Sequence, residues 1–129
     1  MPLSKDAEVE KLGARILTLA MKGHTALGPG LLESAYEVCL RYELDKASLR
    51  VERQLMLPVI YDGQQLDAGY RLDLLVEGKV VVEIKAVEKL MPIHMAQLLS
   101  YLKLGGFPLG YVLNFNVPHL RQGIKRLVT

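Results

Sequence analysis

Three residues set the chemistry to be explained: Asp73, Glu83 and Lys85. They lie in the stretch Tyr70–Lys85, which reads as two β-strands joined by a tight turn. Leu72, Leu74 and Val76 alternate along the first strand, and Val80, Val82 and Ile84 along the second. Glu77-Gly78-Lys79 is the turn, with Gly78 supplying the positive φ that a short loop needs. A two-residue loop would set Val76 against Lys79 and put one apolar triplet beside Lys79, Val81 and Glu83. A three-residue loop sets Val76 against Val80, Leu74 against Val82 and Leu72 against Ile84. This second register gathers both triplets on one face and is the one expected.

That register places Asp73 directly across from Glu83, with Cβ atoms roughly 4.5–5.5 Å apart. Lys85, two residues beyond Glu83, points to the same side. Two carboxylates at such a distance repel by roughly 3 kcal/mol at an effective dielectric near 20. Either Lys85 or a divalent cation would offset the repulsion, and Mg²⁺ is typically held by one or two carboxylates while keeping several waters. The plain alternative is a solvated hairpin face with a surface salt bridge. The flanking residues are so apolar that both faces of the hairpin are expected to be covered, which favours a site.

The remaining elements must carry this hairpin. The chain has 129 residues, half of them apolar, a formal charge of +2 and one cysteine. This suits a single domain over 1–129 with its own core and excludes a disulfide framework or a Cys-rich zinc site. No apolar run reaches the roughly 18 residues of a membrane span, and no signal-peptide core is present. A soluble, cytoplasmic protein is expected. Ser4 to Leu27 reads as a first helix, capped by Ser4 or Asp6 and stopped by Gly28-Pro29-Gly30. Leu31 to Lys46 reads as a second, apolar over most of its girth and so expected to be largely buried, with Cys39 a small core residue. Glu33 sits in its first turn, either complementing the helix dipole or directed at the metal, with Tyr36 one turn on.

Val51–Tyr61 and Gln65–Tyr70 read as strands around an Asp62-Gly63 turn, with Pro58 marking a sheet edge or a bulge. Glu52 and Gln54 are assigned to a solvated face. Pro92 opens a third helix that runs to about Leu104 and is ended by Gly105-Gly106. Met95, Leu98, Leu99 and Leu102 form its expected buried stripe. His94, Gln97 and Tyr101 form a second stripe, read either as a core–solvent boundary or as groups leaning over the site. Leu109–Phe115 is the last expected strand, parallel to its predecessor through the helical crossover. Asn114 and Asn116 end it. Leu120, Ile124 and Leu127 would anchor a short terminal helix, and Arg121, Lys125 and Arg126 form a basic cluster, solvated or following a phosphate backbone.

Asp73 followed by Glu83-Ile84-Lys85 resembles the core signature of the PD-(D/E)XK nuclease superfamily, with Leu72 in place of the proline. Gly30-Leu-Leu-Glu33-Ser-Ala-Tyr36 resembles the GxxExxY family of that superfamily. The likeness extends through Leu27–Glu37, Tyr70–Val76, Glu83–Ala86, Ala96–Lys103 and Leu113–Phe115. It implies an α/β fold with a restriction-endonuclease-like core, a mixed sheet of four to five strands flanked by helices. It also implies a Mg²⁺- or Mn²⁺-dependent nuclease, with Asp73 and Glu83 holding the metal and the Ile84 carbonyl as a third ligand. Lys85 would orient the attacking water, and Glu33 would complete the shell or anchor Lys85. Tyr36, Gln97 and Tyr101 would position substrate, the last two matching an auxiliary Gln-x-x-x-Tyr motif. Nucleic acid is the expected partner, and the small surface favours a homodimer. A non-catalytic nucleic-acid-binding or protein-interaction module on the same fold is the competing reading, kept alive by the low positive charge.

Overall fold

The computed structural model describes residues 6–129, the side chains of 67 and 68 excepted. The first helix, α1, spans Ala7–Leu27. Asp6 caps it by accepting hydrogen bonds from the amides of Glu8 and Val9 at 2.9 and 3.4 Å. Ser4, the other expected cap, lies outside the described residues. Helix α2 spans Glu33–Lys46, β1 Val51–Tyr61, β2 Gln64–Val76 and β3 Val80–Lys85. Helix α3, Pro92–Gly105, crosses over to β4, Leu109–Asn114. A 3-10 turn, Leu120–Gly123, then leads to β5, Ile124–Val128. Among the described residues the strands form one five-stranded sheet in the order β1-β2-β3-β4-β5. It is mixed, with β3 and β4 parallel and the other neighbours antiparallel.

The sheet is covered on both faces. Val9, Ile16 and Ala20 of α1 and Tyr36, Leu40 and Leu44 of α2 pack on Leu74, Val76, Val80, Val82 and Ile84. On the opposite face Leu98, Tyr101 and Leu102 of α3 pack on Leu57, Leu72, Leu75, Val81 and Val112. Val80–Ile84 are therefore all buried, as expected of central strands covered on both sides. Tyr101 takes the buried position expected of Leu99, which is exposed. Positions 95, 98, 101 and 102 follow the helical repeat along one face, and Leu99 turns away from it.

Three other expectations are corrected. The second helix is not apolar all round: Val38 and Tyr42 are exposed, and Leu31 and Leu32 precede it, exposed as well. Its buried face instead includes two carboxylates that have partners. Glu37 faces Gln54 and Arg53, and Glu43 faces Lys22 at 3.0 Å. The terminal helix expected from Leu120, Ile124 and Leu127 is a 3-10 turn and a strand, because Ile124–Val128 completes the free edge of β4. Arg126 is consequently not part of an open basic face. It pairs with Glu10 and ties β5 to α1.

The β1–β2 hairpin carries a register shift that bears on the site. Its two-residue turn, Asp62-Gly63, has positive φ at both positions. From there Tyr61↔Gln64 to Val59↔Leu66 pair regularly, but the next pair is Leu57↔Tyr70. Strand β2 thus carries two extra residues opposite Pro58, which has no amide to offer the ladder. Gly69 is part of this bulge, and a Cβ there would lie 2.8 Å from the Leu57 carbonyl oxygen.

The loop between α1 and α2 is held by Tyr36. Its hydroxyl donates to the Gly28 carbonyl at 2.6 Å and accepts from the Leu31 amide at 3.1 Å, while its ring stacks on Phe115 with centroids 4.6 Å apart. Tyr36→Phe should lower stability by about 1–3 kcal/mol, measured by urea denaturation, because both loop groups lose a partner. An unchanged denaturation midpoint would show that the loop is held elsewhere.

Candidate active site

The β2–β3 ladder has the expected three-residue loop and register, Val76↔Val80, Leu75↔Val81 and Leu74↔Val82. Beyond Leu74↔Val82 the two strands diverge. Strand β2 stays with β1 through Leu55↔Leu72, and β3 stays with β4 through Lys85↔Asn114. In this fork, side chains replace main-chain pairing. The Asp73 amide donates to Glu83 Oε2 at 2.8 Å, and the Ile84 amide donates to Asp73 Oδ2 at 2.8 Å. Each carboxylate thus satisfies an amide of the opposite strand. The divergence also explains why Leu72 packs under α3 with Leu75 and Val81, not on the face of Leu74 where simple alternation would put it.

Glu83 is 6% exposed. Burial first, and then the Asp73 charge, push its carboxyl up to about 8, against the Asp73 amide and Lys85, which favour the ionised form. Burial likewise raises Asp73, opposed by the Ile84 amide, Lys85 and a hydrogen bond from Gln54. Glu33 is exposed as a residue, yet its carboxylate turns towards the cleft. Burial raises its pKa while Lys85 lowers it and Asp73 raises it further. Lys85 is therefore the cation common to Glu33, Asp73 and Glu83.

The cleft beside Glu33 and Asp73 has a volume of about 260 Å³ and is lined by these two with Ser34, Glu37, Gln54 and Ile84. A larger hollow of about 570 Å³ lies at the C-terminal end of α1, among His24, Thr25, His119 and Arg121. It has no carboxylate in its lining, and His24 already donates through Nε2 to the Phe115 carbonyl at 3.0 Å. The smaller cleft is the candidate active site.

The other sequence-selected residues divide. Tyr101 is buried against the fork: burial and the charge of Glu83 raise its pKa, and its ring lies 5.5 Å from that of Tyr70. Gln97 is half-buried one turn earlier on α3. Tyr36 is not placed to meet a ligand, since its hydroxyl is engaged by the loop as described. His94 accepts from the Met91 amide through Nδ1 at 2.9 Å and so caps α3. Asn114 does more than end its strand. Buried, it bonds the Val87 amide and carbonyl at 3.1 and 3.0 Å and fixes the chain leaving β3.

Three residues of the cleft escaped the sequence reading, Ser34, Glu37 and Gln54. Glu37 follows Glu33 by four residues, a spacing that puts both on one side of α2. Gln54, assigned above to a solvated face, is half-buried and donates through Nε2 to Glu37 Oε1 at 2.8 Å.

The family model of the PD-(D/E)XK nuclease superfamily matches residues 10–127. The chain belongs to this superfamily. No curated protein and no solved structure matches the chain. Asp73 and Glu83-Ile84-Lys85 lie at the fork between β2 and β3. Their donors are oxygens, which suit a hard divalent cation better than zinc. Among the described residues no three His, Cys, Asp or Glu side chains form a metal-binding group. A cation here would rest on the Asp73–Glu83 pair, as Mg²⁺ often does on one or two carboxylates. Asp73 Oδ1 and Glu83 Oε1 take no part in the strand-to-strand bonds, so the residues fit such an ion.

A carboxyl raised in the folded state holds its proton while the unfolded chain releases its own. The Glu83 contribution to stability is complete below the ordinary value of 4.5 and is lost as pH rises to about 8. Without metal, stability should fall across this window with a slope approaching about 1.4 kcal/mol per pH unit. Glu83→Gln should flatten the slope in urea denaturation at successive pH values. The same slope in the variant would assign the titration to another group.

Proposed function

We propose that the protein is a divalent-metal-dependent nuclease that hydrolyses phosphodiester bonds of nucleic acid in the cleft between α2 and the β2–β3 fork. The observation that carries this reading is the Asp73–Glu83 pair. A buried and a half-buried carboxylate are held side by side within the field of Lys85, an arrangement whose repulsion a divalent ion relieves. A pure binding surface has no need of it. The narrower likeness to the GxxExxY family supports the same reading, with Glu33 at the rim of the cleft and Tyr36 holding the loop that presents it.

When bound, a divalent cation supplies Lewis-acid polarisation of the phosphodiester and a more acidic water. The chain's own residues have separable tasks. Asp73 and Glu83 would hold the cation, with the Ile84 carbonyl as a third ligand. Their strand-to-strand bonds fix the rotamers, so little reorganisation is needed on binding. Lys85 orients the water and offsets charge that develops on phosphate oxygens. Glu33, whose carboxylate feels the Lys85 charge, would anchor its ammonium from the α2 side. Tyr101, which feels the charge of Glu83, and Gln97, one turn earlier on α3, would position substrate. Burial of Glu83 strengthens the charges that act on it. No helix among the described residues is long and apolar enough to cross a membrane, and nucleic acid is the proposed partner. A homodimer would lengthen the surface offered to it.

Cleavage of single- and double-stranded DNA and RNA should be detected with Mg²⁺ or Mn²⁺ and lost in Glu83→Ala. Calorimetry should show Mn²⁺ binding by the wild type and its loss in Asp73→Asn; equal affinity in the two proteins would remove the metal reading. Lys85→Ala should keep Mn²⁺ affinity yet lower kcat by about 10²–10³. Unchanged turnover would leave Lys85 with a purely structural task.

A further inference from the structure

Gln54 stands out in the backbone as well as in the cleft. It lies within β1 but has φ of +52°, a left-handed conformation that non-glycine residues seldom adopt. The β1–β2 ladder pairs Arg53 with Leu74 and Leu55 with Leu72, and the residues between these two pairs are Gln54 and Asp73. The strand is therefore distorted at the position opposite the candidate metal ligand. Its side chain lines the same cleft as Asp73 and donates to Glu37 Oε1 at 2.8 Å. A carboxamide nitrogen carries two protons; across the ladder from Asp73 and in the same cleft, Gln54 has one left to offer that carboxylate and favours its ionised form. Glu37 is in turn held by Arg53 at 3.6 Å. Strained backbone that persists beside reactive groups is a recognised mark of function.

We infer that Gln54 is a positioning residue for the Asp73–Glu83 metal site: its carboxamide ties Asp73 to Glu37 and fixes where the Asp73 oxygens point. Asp73 is then held from two sides, by the Ile84 amide on β3 and by Gln54 on β1. A neutral amide suits this place. It can donate to two carboxylates at once, where a lysine would compete with the cation by charge and a third carboxylate would add to the repulsion. The left-handed backbone is the conformation in which the structure delivers this amide to the cleft. This inference rests on the metal reading above.

The test uses Gln54→Gly, which relieves the left-handed backbone, and Gln54→Asn, which tolerates it and keeps an amide one methylene shorter. Mn²⁺ affinity by calorimetry and melting temperature in the absence of metal are measured for both. The expected result is a native-like melting transition in at least one variant together with a loss of about ten-fold or more in Mn²⁺ affinity. In cleavage assays that variant should recover turnover as Mn²⁺ is raised, which a residue that only fills space would not require. Affinity within about two-fold of wild type in a folded variant would overturn the inference while leaving the metal reading intact. Failure of both variants to fold would also overturn it, by making Gln54 a residue of the fold. Absence of Mn²⁺ binding by the wild type would remove the metal reading, and this inference with it.

Discussion

The fold depends on an exchange of roles between main chain and side chain where β2 leaves β3. Two strands that part inside a covered sheet leave amides without partners, and a buried amide left unpaired costs about 1–3 kcal/mol. Here the amides of Asp73 and Ile84 are satisfied by the carboxylates of Glu83 and Asp73. The acidic pair is therefore part of the sheet's hydrogen bonding before it is anything else. The same bonds hold the two carboxylates together despite their repulsion, so one constraint gives both the divergence of the strands and the geometry of the cleft.

The helices set the electrostatics of that geometry. Packing of α1 and α2 on one face and α3 on the other removes water from the fork, and burial is the first cause of the elevated pKa of Glu83, Asp73, Glu33 and Tyr101. In such surroundings each charge acts more strongly on its neighbours. Lys85 is felt by three carboxylates, of which Glu83 is the most deeply buried. Helix α2 adds acidity from its own side through Glu33 and Glu37, and the Tyr36 hydroxyl fixes the loop from which the helix begins.

Much of this was legible in the residues. The alternation of Leu74 and Val76 with Val80 and Val82 admitted one register, and that register put Asp73 beside Glu83. Pro58 announced an edge or a bulge, and β1 has both, while Pro92 and Gly106 bounded α3. What was not legible has physical reasons. Spacings of four and three among Leu120, Ile124 and Leu127 satisfy a helix, and the open edge of β4 that drew them into a strand is a tertiary fact. Glu37 and Glu43 were not expected in a buried helix face because their partners come from β1 and α1. Gln54 was hidden by the bulge: pairing counted regularly from the Asp62-Gly63 turn would set it against Arg71, and two extra residues in β2 move it to Asp73.

That bulge has a consequence for how this arm of the sheet can change in length. Side chains alternate faces with a period of two, so an even number of extra residues slides one strand along the other without inverting it. The hairpin tip beyond Pro58 and Gly69 is in this sense a vernier. Insertions or deletions made there in pairs preserve the parity of β1 against β2 and leave Gln54 and Asp73 on the sides they now occupy. A change of one residue breaks that parity, and the fork would have to accept a different neighbour. The distal arm is free to vary in steps of two, and the cleft at its base is what fixes the size of the step.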